Sequence, residues 1–104
     1  MFLPIAAAAQ PQINAAVSAV VQELTPAVQH IDYKIARDWD GQWAIFFRVL
    51  LSDEASHRDR LQDVATQVVW RISDRIDIPG LGLFPHFDFE SQSEWAKRNE
   101  LARA

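Results

Sequence analysis

At 104 residues, 49% of them hydrophobic and 23% charged, the chain has the size and mix of one globular domain, which excludes a disordered protein, a fibrous repeat and a two-domain enzyme. A net charge of −4 and the lack of any Lys/Arg run leave no basic face to displace counterions from phosphates, so no direct nucleic-acid partner is expected. With no cysteine, disulfides, thiolate metal sites and a Cys nucleophile are impossible.

Residues 1–10 open with Met1-Phe2-Leu3-Pro4-Ile5 and an alanine run. They read as an apolar N-terminal tail ahead of a single α+β domain over residues 11–104. The tail lacks a basic leading segment, and Pro4 interrupts its apolar run. It is too short to span a bilayer. A cytoplasmic protein without a membrane partner is the expectation.

The first helix is expected over residues 11–25. Ile13, Ala16, Val17, Val20, Val21 and Leu24 recur at helical spacing. Pro11 suits the first turn, and Thr25-Pro26 ends the segment.

Residues 28–38 alternate as a strand, with Ile31, Tyr33 and Ile35 on one face and His30, Asp32 and Lys34 on the other. Residues 42–51 form a second strand, apolar on both faces except for Arg48. Trp39-Asp40-Gly41 joins them as a hairpin. A two-residue Asp40-Gly41 loop would set Tyr33 opposite Arg48 and Lys34 opposite Phe47, mixing core and surface. A three-residue loop with Gly41 left-handed pairs Ile31 with Val49, Tyr33 with Phe47, Ile35 with Ile45 and Asp32 with Arg48. Only this register puts the apolar residues of the first strand on one face and an opposite-charge pair on the other.

Ser52 or Asp53 caps the longest helix, which is expected to run to about residue 77. Leu61, Val64, Ala65, Val68, Ile72 and Ile76 make its apolar stripe. Residues 78–82, IPGLG, break it. A third strand follows over 83–89, with Leu83, Phe87 and Phe89 inward and Phe84, His86 and Asp88 outward. Pro85 places it on an edge. Ser91-Gln92-Ser93-Glu94 is a capping box that opens a last helix.

The order is therefore α-β-β-α-β-α. A crossover through the long helix lays the third strand parallel to the second. The expected fold is an α+β domain with a three-stranded mixed sheet of order 1-2-3, order 2-1-3 being the alternative. Its helices lie mainly on one face.

Chemistry-bearing patterns are sparse. His30-x-Asp32 and His86-x-Asp88 both face outward, and imidazole with carboxylate suits zinc, manganese or iron. In order 1-2-3 the second strand separates the pairs by about 10 Å. Arg48 would then stand between Asp32 and Asp88 as a salt-bridge hub. Asp38-Trp39-Asp40 resembles the Asp-x-Asp magnesium pair of nucleotidyltransferases. Those enzymes need an upstream Gly-Ser turn, and residues 1–37 contain no glycine. No serine lies in a nucleophile elbow, and no glycine loop could cradle phosphate.

Exposed apolar residues speak louder. Trp70 falls on the water face of the long helix, among Asp63, Thr66, Ser73 and Asp74. Phe46 and Leu50 flank Arg48 on the outer sheet face, Phe84 joins them, and Trp95 on the last helix or the apolar tail could cover them. Trp70, Phe46, Arg48, Leu50, Phe84 and Trp95 are thus the expected interaction residues.

Residues 38–56, DWDGQWAIFFRVLLSDEAS, and 81–94, LGLFPHFDFESQSE, resemble a set of small uncharacterised bacterial proteins. Their pattern runs Asp-Trp-x-Gly, Ala-Ile-Phe-Phe-Arg-Val, Leu-Ser-Asp and Phe-x-Phe-x-Ser-x-Ser-Glu. The resemblance implies an antitoxin-like or defence-locus accessory protein. Asp38, Trp39, Gly41, Phe46, Phe47, Arg48, Ser52, Asp53, Phe87, Phe89, Ser91, Ser93 and Glu94 carry it.

The expected function is a noncatalytic protein–protein interaction module, with no catalytic residue, metal or cofactor and with a protein partner or a second copy. The alternatives are a small metal-dependent hydrolase or nuclease using His30, Asp32, His86 and Asp88, and a purely homo-oligomeric structural protein.

Overall fold

A computed structural model describes residues 8–103, with side chains as far as Glu100. Most of the expected tail lies outside those residues, but Ala9 is already buried in the core. The elements run α1 (Gln10–Leu24), β1 (Val28–Arg37), β2 (Trp43–Leu51), α2 (Arg58–Arg75), a short 3-10 turn (Pro79–Leu81), β3 (Phe84–Ser91) and α3 (Gln92–Arg103). The sheet has the order β1-β2-β3. β1 pairs antiparallel with β2, and β3 runs parallel to it. This is the α+β arrangement with sheet order 1-2-3. No described helix is long and apolar enough to cross a membrane.

α1 buries Ile13, Ala16, Val17 and Val20, and α2 buries Val64, Val68 and Ile72. Both stripes close over the inner sheet face, where Ile31, Ile45, Phe47, Val49 and Leu51 complete one cluster. Their far ends are tied by Glu23, which takes Arg71 at 3.0 Å and also Arg75.

The hairpin has the three-residue loop. Ile31 faces Val49, Tyr33 faces Phe47, Ile35 faces Ile45 and Asp32 faces Arg48. Gly41 has φ +79°, and its N–H donates to the Asp38 carbonyl. Asp38 Oδ1 accepts from the N–H groups of Asp40 and Gln42 at 2.9 and 3.0 Å, so the Asp-x-Asp sequence serves a turn. A side chain at Gly41 would meet no neighbour, which leaves only the backbone term. Gly41→Ala is therefore expected to cost about 1–2 kcal/mol in a denaturant titration, and Gly41→Asn less.

Three sequence expectations need correction. The long helix starts at Arg58, not at Ser52 or Asp53. Ser52 instead closes its own turn, accepting from Ala55 N–H at 3.1 Å, while Ala55 is fully buried. Asp53 is drawn to Ser93, whose N–H and Oγ both donate to it. His57 is left as an extended residue before α2 with no side-chain cap. Within the stripe, Leu61 is exposed and Ala65 only half-buried, because the first turns of α2 overhang the core. β3 runs two residues past the expected residue 89, to Ser91. Its extension continues the parallel pairing with β2 up to the Leu51–Ser91 pair.

Candidate functional site on the outer sheet face

Alternate strand residues share a face. The outer face therefore carries His30, Asp32, Lys34 and Ala36 from β1, Ala44, Phe46, Arg48 and Leu50 from β2, and Phe84, His86, Asp88 and Glu90 from β3. Among the described residues no helix covers its middle or its hairpin end.

At the hairpin end three rings stack. Phe46 and His86 lie 4.9 Å apart and nearly parallel, and Trp39 comes within 5.2 Å of His86. His86 Nε2 stands 3.5 Å from Asp38 Oδ2, and the Asp38 side chain is only 6% exposed. Burial pushes the Asp38 carboxyl upward, but the Gln42 and Asp40 amides and the neighbouring His86 outweigh it and hold the pKa below the ordinary aspartate value of 3.8. The turn thus keeps its hydrogen bonds above pH 3.8 and loses that contribution as the pH falls through the depressed value.

In the middle, a groove of about 500 Å³ runs past Asp32, Lys34, Phe46, Arg48 and Asp88. Arg48 is in register with Asp32 on one side and Asp88 on the other. The expected salt-bridge hub does not form, because among the described residues neither carboxylate comes within 4.0 Å of the guanidinium. Arg48 is exposed, and in water a loose pair with either acid gains little over hydration.

At the far end α3 crosses the face. Trp95 joins His30, Asp32, Arg48, Leu50 and Glu90 around a smaller cavity of about 160 Å³. Arg98 holds Glu90 at 3.0 Å. The position of α3 is set by its start: Ser91 N–H donates to Glu94 Oε1, and Glu94 N–H donates to Ser91 Oγ, at 2.9 and 3.1 Å. This is the reciprocal capping box read from the sequence.

Of the six expected interaction residues, Phe46, Arg48, Leu50, Phe84 and Trp95 share this face. Phe46 and Leu50 are half-buried rather than exposed, since stacked His86 and overlying Trp95 take part of their surface. Trp70 is 68% exposed, but it stands on α2, away from the sheet face. The two His-x-Asp pairs do not meet, because β2 lies between them. His30 pairs loosely with Asp32 at 3.8 Å, whereas His86 turns to Asp38 instead of Asp88. Among the described residues no group of three or more His, Asp or Glu could hold a metal.

Trp39, 80% exposed, is the residue that sequence reasoning missed. Its loop position was explained by the turn alone. The available signal was an indole on a tight loop, where a turn needs no aromatic.

No protein-family model matches the chain, and no curated protein matches it. Among solved structures the chain is similar to a variant of MamM, with a TM-score of 0.49 and 16% identity over 80% of this chain and 95% of that chain.

Proposed function

We propose that the chain is a noncatalytic interaction module that receives a protein partner on its outer sheet face. One observation carries this reading: among the described residues that face is left open around Arg48, which makes no ion pair with them, and Trp39 and Phe84 are exposed beside it. Aromatic and arginine side chains together are the composition of binding hot spots. The partner chemistry that fits is a protein segment with an apolar side chain for the Trp39–Phe46–Phe84 patch and a carboxylate for Arg48. On the resemblance of residues 38–56 and 81–94, the partner is a larger protein that this chain neutralises or scaffolds in an antitoxin-like way.

The test is copurification from the native host, followed by calorimetry with the identified partner. Wild type is expected to retain one protein in stoichiometric amount. The double variant Phe46→Asp/Arg48→Glu should weaken its binding at least a hundredfold, while Trp70→Ala leaves it within about threefold. A partner that binds the double variant as tightly as wild type overturns the reading, as does the absence of any stoichiometric partner.

A further inference from the structure

The open edge of β1 is a second surface, independent of the outer face. Ten residues long, β1 has a neighbour on one side only among the described residues. Asp38 N–H donates to the Gln42 carbonyl at 2.8 Å, so even-numbered residues of β1 turn their backbone groups to β2. Ile31, Tyr33 and Ile35 turn theirs to the open edge. Among the described residues no backbone hydrogen bond outside the sheet reaches these three. A row of such unpaired groups is a template for another strand.

The sequence along this edge is complementary to itself. We infer that β1 pairs antiparallel with β1 of a second copy, about a two-fold axis through Tyr33, joining two sheets into one of six strands. In Ile31-Asp32-Tyr33-Lys34-Ile35, that axis sets Ile31 opposite Ile35, Tyr33 opposite Tyr33, and Asp32 opposite Lys34 twice over. Three residues per copy exchange about six backbone hydrogen bonds. The two carboxylate–ammonium pairs lie on the outer face, and the isoleucines and tyrosines on the inner.

Neighbouring registers fail on charge. An axis through Asp32 sets Asp32 against itself, and one through Lys34 sets Lys34 against itself. An axis between two residues puts inner face against outer. The β3 edge offers no such match and carries Pro85, which cannot donate.

Packing on the inner side agrees. Tyr33 and Ile35 are only half-buried, and a groove of about 680 Å³ opens between α1 and this edge. Short side chains on α1, Asn14 and Ser18, line it and leave room for the second copy. The Tyr33 hydroxyl donates to Asn14 Oδ1 at 2.7 Å, which ties its ring to α1.

Sedimentation or light scattering over a concentration series is expected to show a species of twice 11.8 kDa. Lys34→Glu sets acids opposite acids and should raise the dimer dissociation constant about tenfold or more. Exchanging the charges, Asp32→Lys with Lys34→Asp, should restore it. Hydrogen exchange supplies a readout that folding alone does not move. The Ile31, Tyr33 and Ile35 amides should gain protection as concentration rises, while those of Asp32 and Lys34 stay protected throughout.

The chain has no cysteine, so Tyr33→Cys gives a single thiol on the axis. It should form a disulfide dimer on oxidation, since paired Cα atoms about 5.5 Å apart are within reach. A monomer at every concentration overturns the inference. So does a dimer that ignores the charge variants and fails to cross-link. Phe46→Asp/Arg48→Glu should leave the dimer intact, so the two surfaces succeed or fail separately.

Discussion

Phe47→Ala is expected to remove about 3–5 kcal/mol of stability, the usual result of emptying a fully packed phenylalanine site. Phe47 is 1% exposed and sits in the middle of the central strand, between Tyr33 and Phe87 in register. Its ring stacks on Phe87 at 4.8 Å and lies 6.2 Å from Tyr33. No neighbour can fill the void without leaving its own place on the sheet. A loss of that size is a large fraction of the roughly 5–15 kcal/mol that stabilises a typical domain. Urea unfolding followed by circular dichroism measures it. Phe46→Ala, one residue away on the opposite face, should cost no more than about 1 kcal/mol, because its ring is half in water already. Equal costs at the two positions would mean that the faces are wrongly assigned.

The second large effect is expected at the start of α3. Four side chains converge there: Ser91 and Glu94 cap each other, and Asp53 accepts from the Ser93 N–H and hydroxyl at 2.9 and 2.6 Å. The other ties of α3 to the sheet are the Trp95 ring, the Arg98–Glu90 ion pair at 3.0 Å and a contact of Gln92 with Gln29, and its described side chains are almost all exposed. Ser91→Ala alone should cost about 1 kcal/mol.

Combined with Asp53→Asn, it should release the helix from the sheet. Hydrogen exchange over residues 92–103 would then rise at least tenfold while the β2 amides remain slow. Uncovering Leu50 and Arg48 should also alter partner binding at the outer face. If exchange in α3 is unchanged, the cap network is not what seats the helix.

Acid should act in the same place. Hydrogen bonds from the Ser93 hydroxyl and amide hold the Asp53 carboxyl below its ordinary 3.8. Those from the Ser91 amide and hydroxyl hold Glu94 below its ordinary 4.5. Both pKa values are depressed on folding, so their stabilisation is present above those ordinary values and is lost as the pH falls through the folded ones. Protection of the α3 amides, relative to intrinsic exchange at each pH, is therefore expected to be lost in acid before that of the core strands.

Local chemistry was legible wherever a short segment satisfies itself. The alternation of Ile31, Tyr33 and Ile35 with charged neighbours, together with Gly41, determined the hairpin register, because a slip of one residue reverses every side chain. Ser91 and Glu94 announced the last helix because a capping box closes within four residues. The doubly apolar β2 pointed to the centre of the sheet, and the sheet order followed from it.

What the sequence left undecided depends on residues distant along the chain. Asp53 looks like the cap of the helix that follows it, yet it caps one that starts forty residues later, which no local pattern records. Arg48 and its two aspartates stand side by side as expected, but all three are exposed, and a pair in water competes with full hydration. His86 was read with Asp88, its strand neighbour, whereas the folded hairpin brings Asp38 and Trp39 to it. The sequence by itself determined which face each residue of the hairpin strands takes, because that choice is set by periodicity and turn chemistry. Only the tertiary structure decided which residues meet, because contacts between separate elements depend on packing in space.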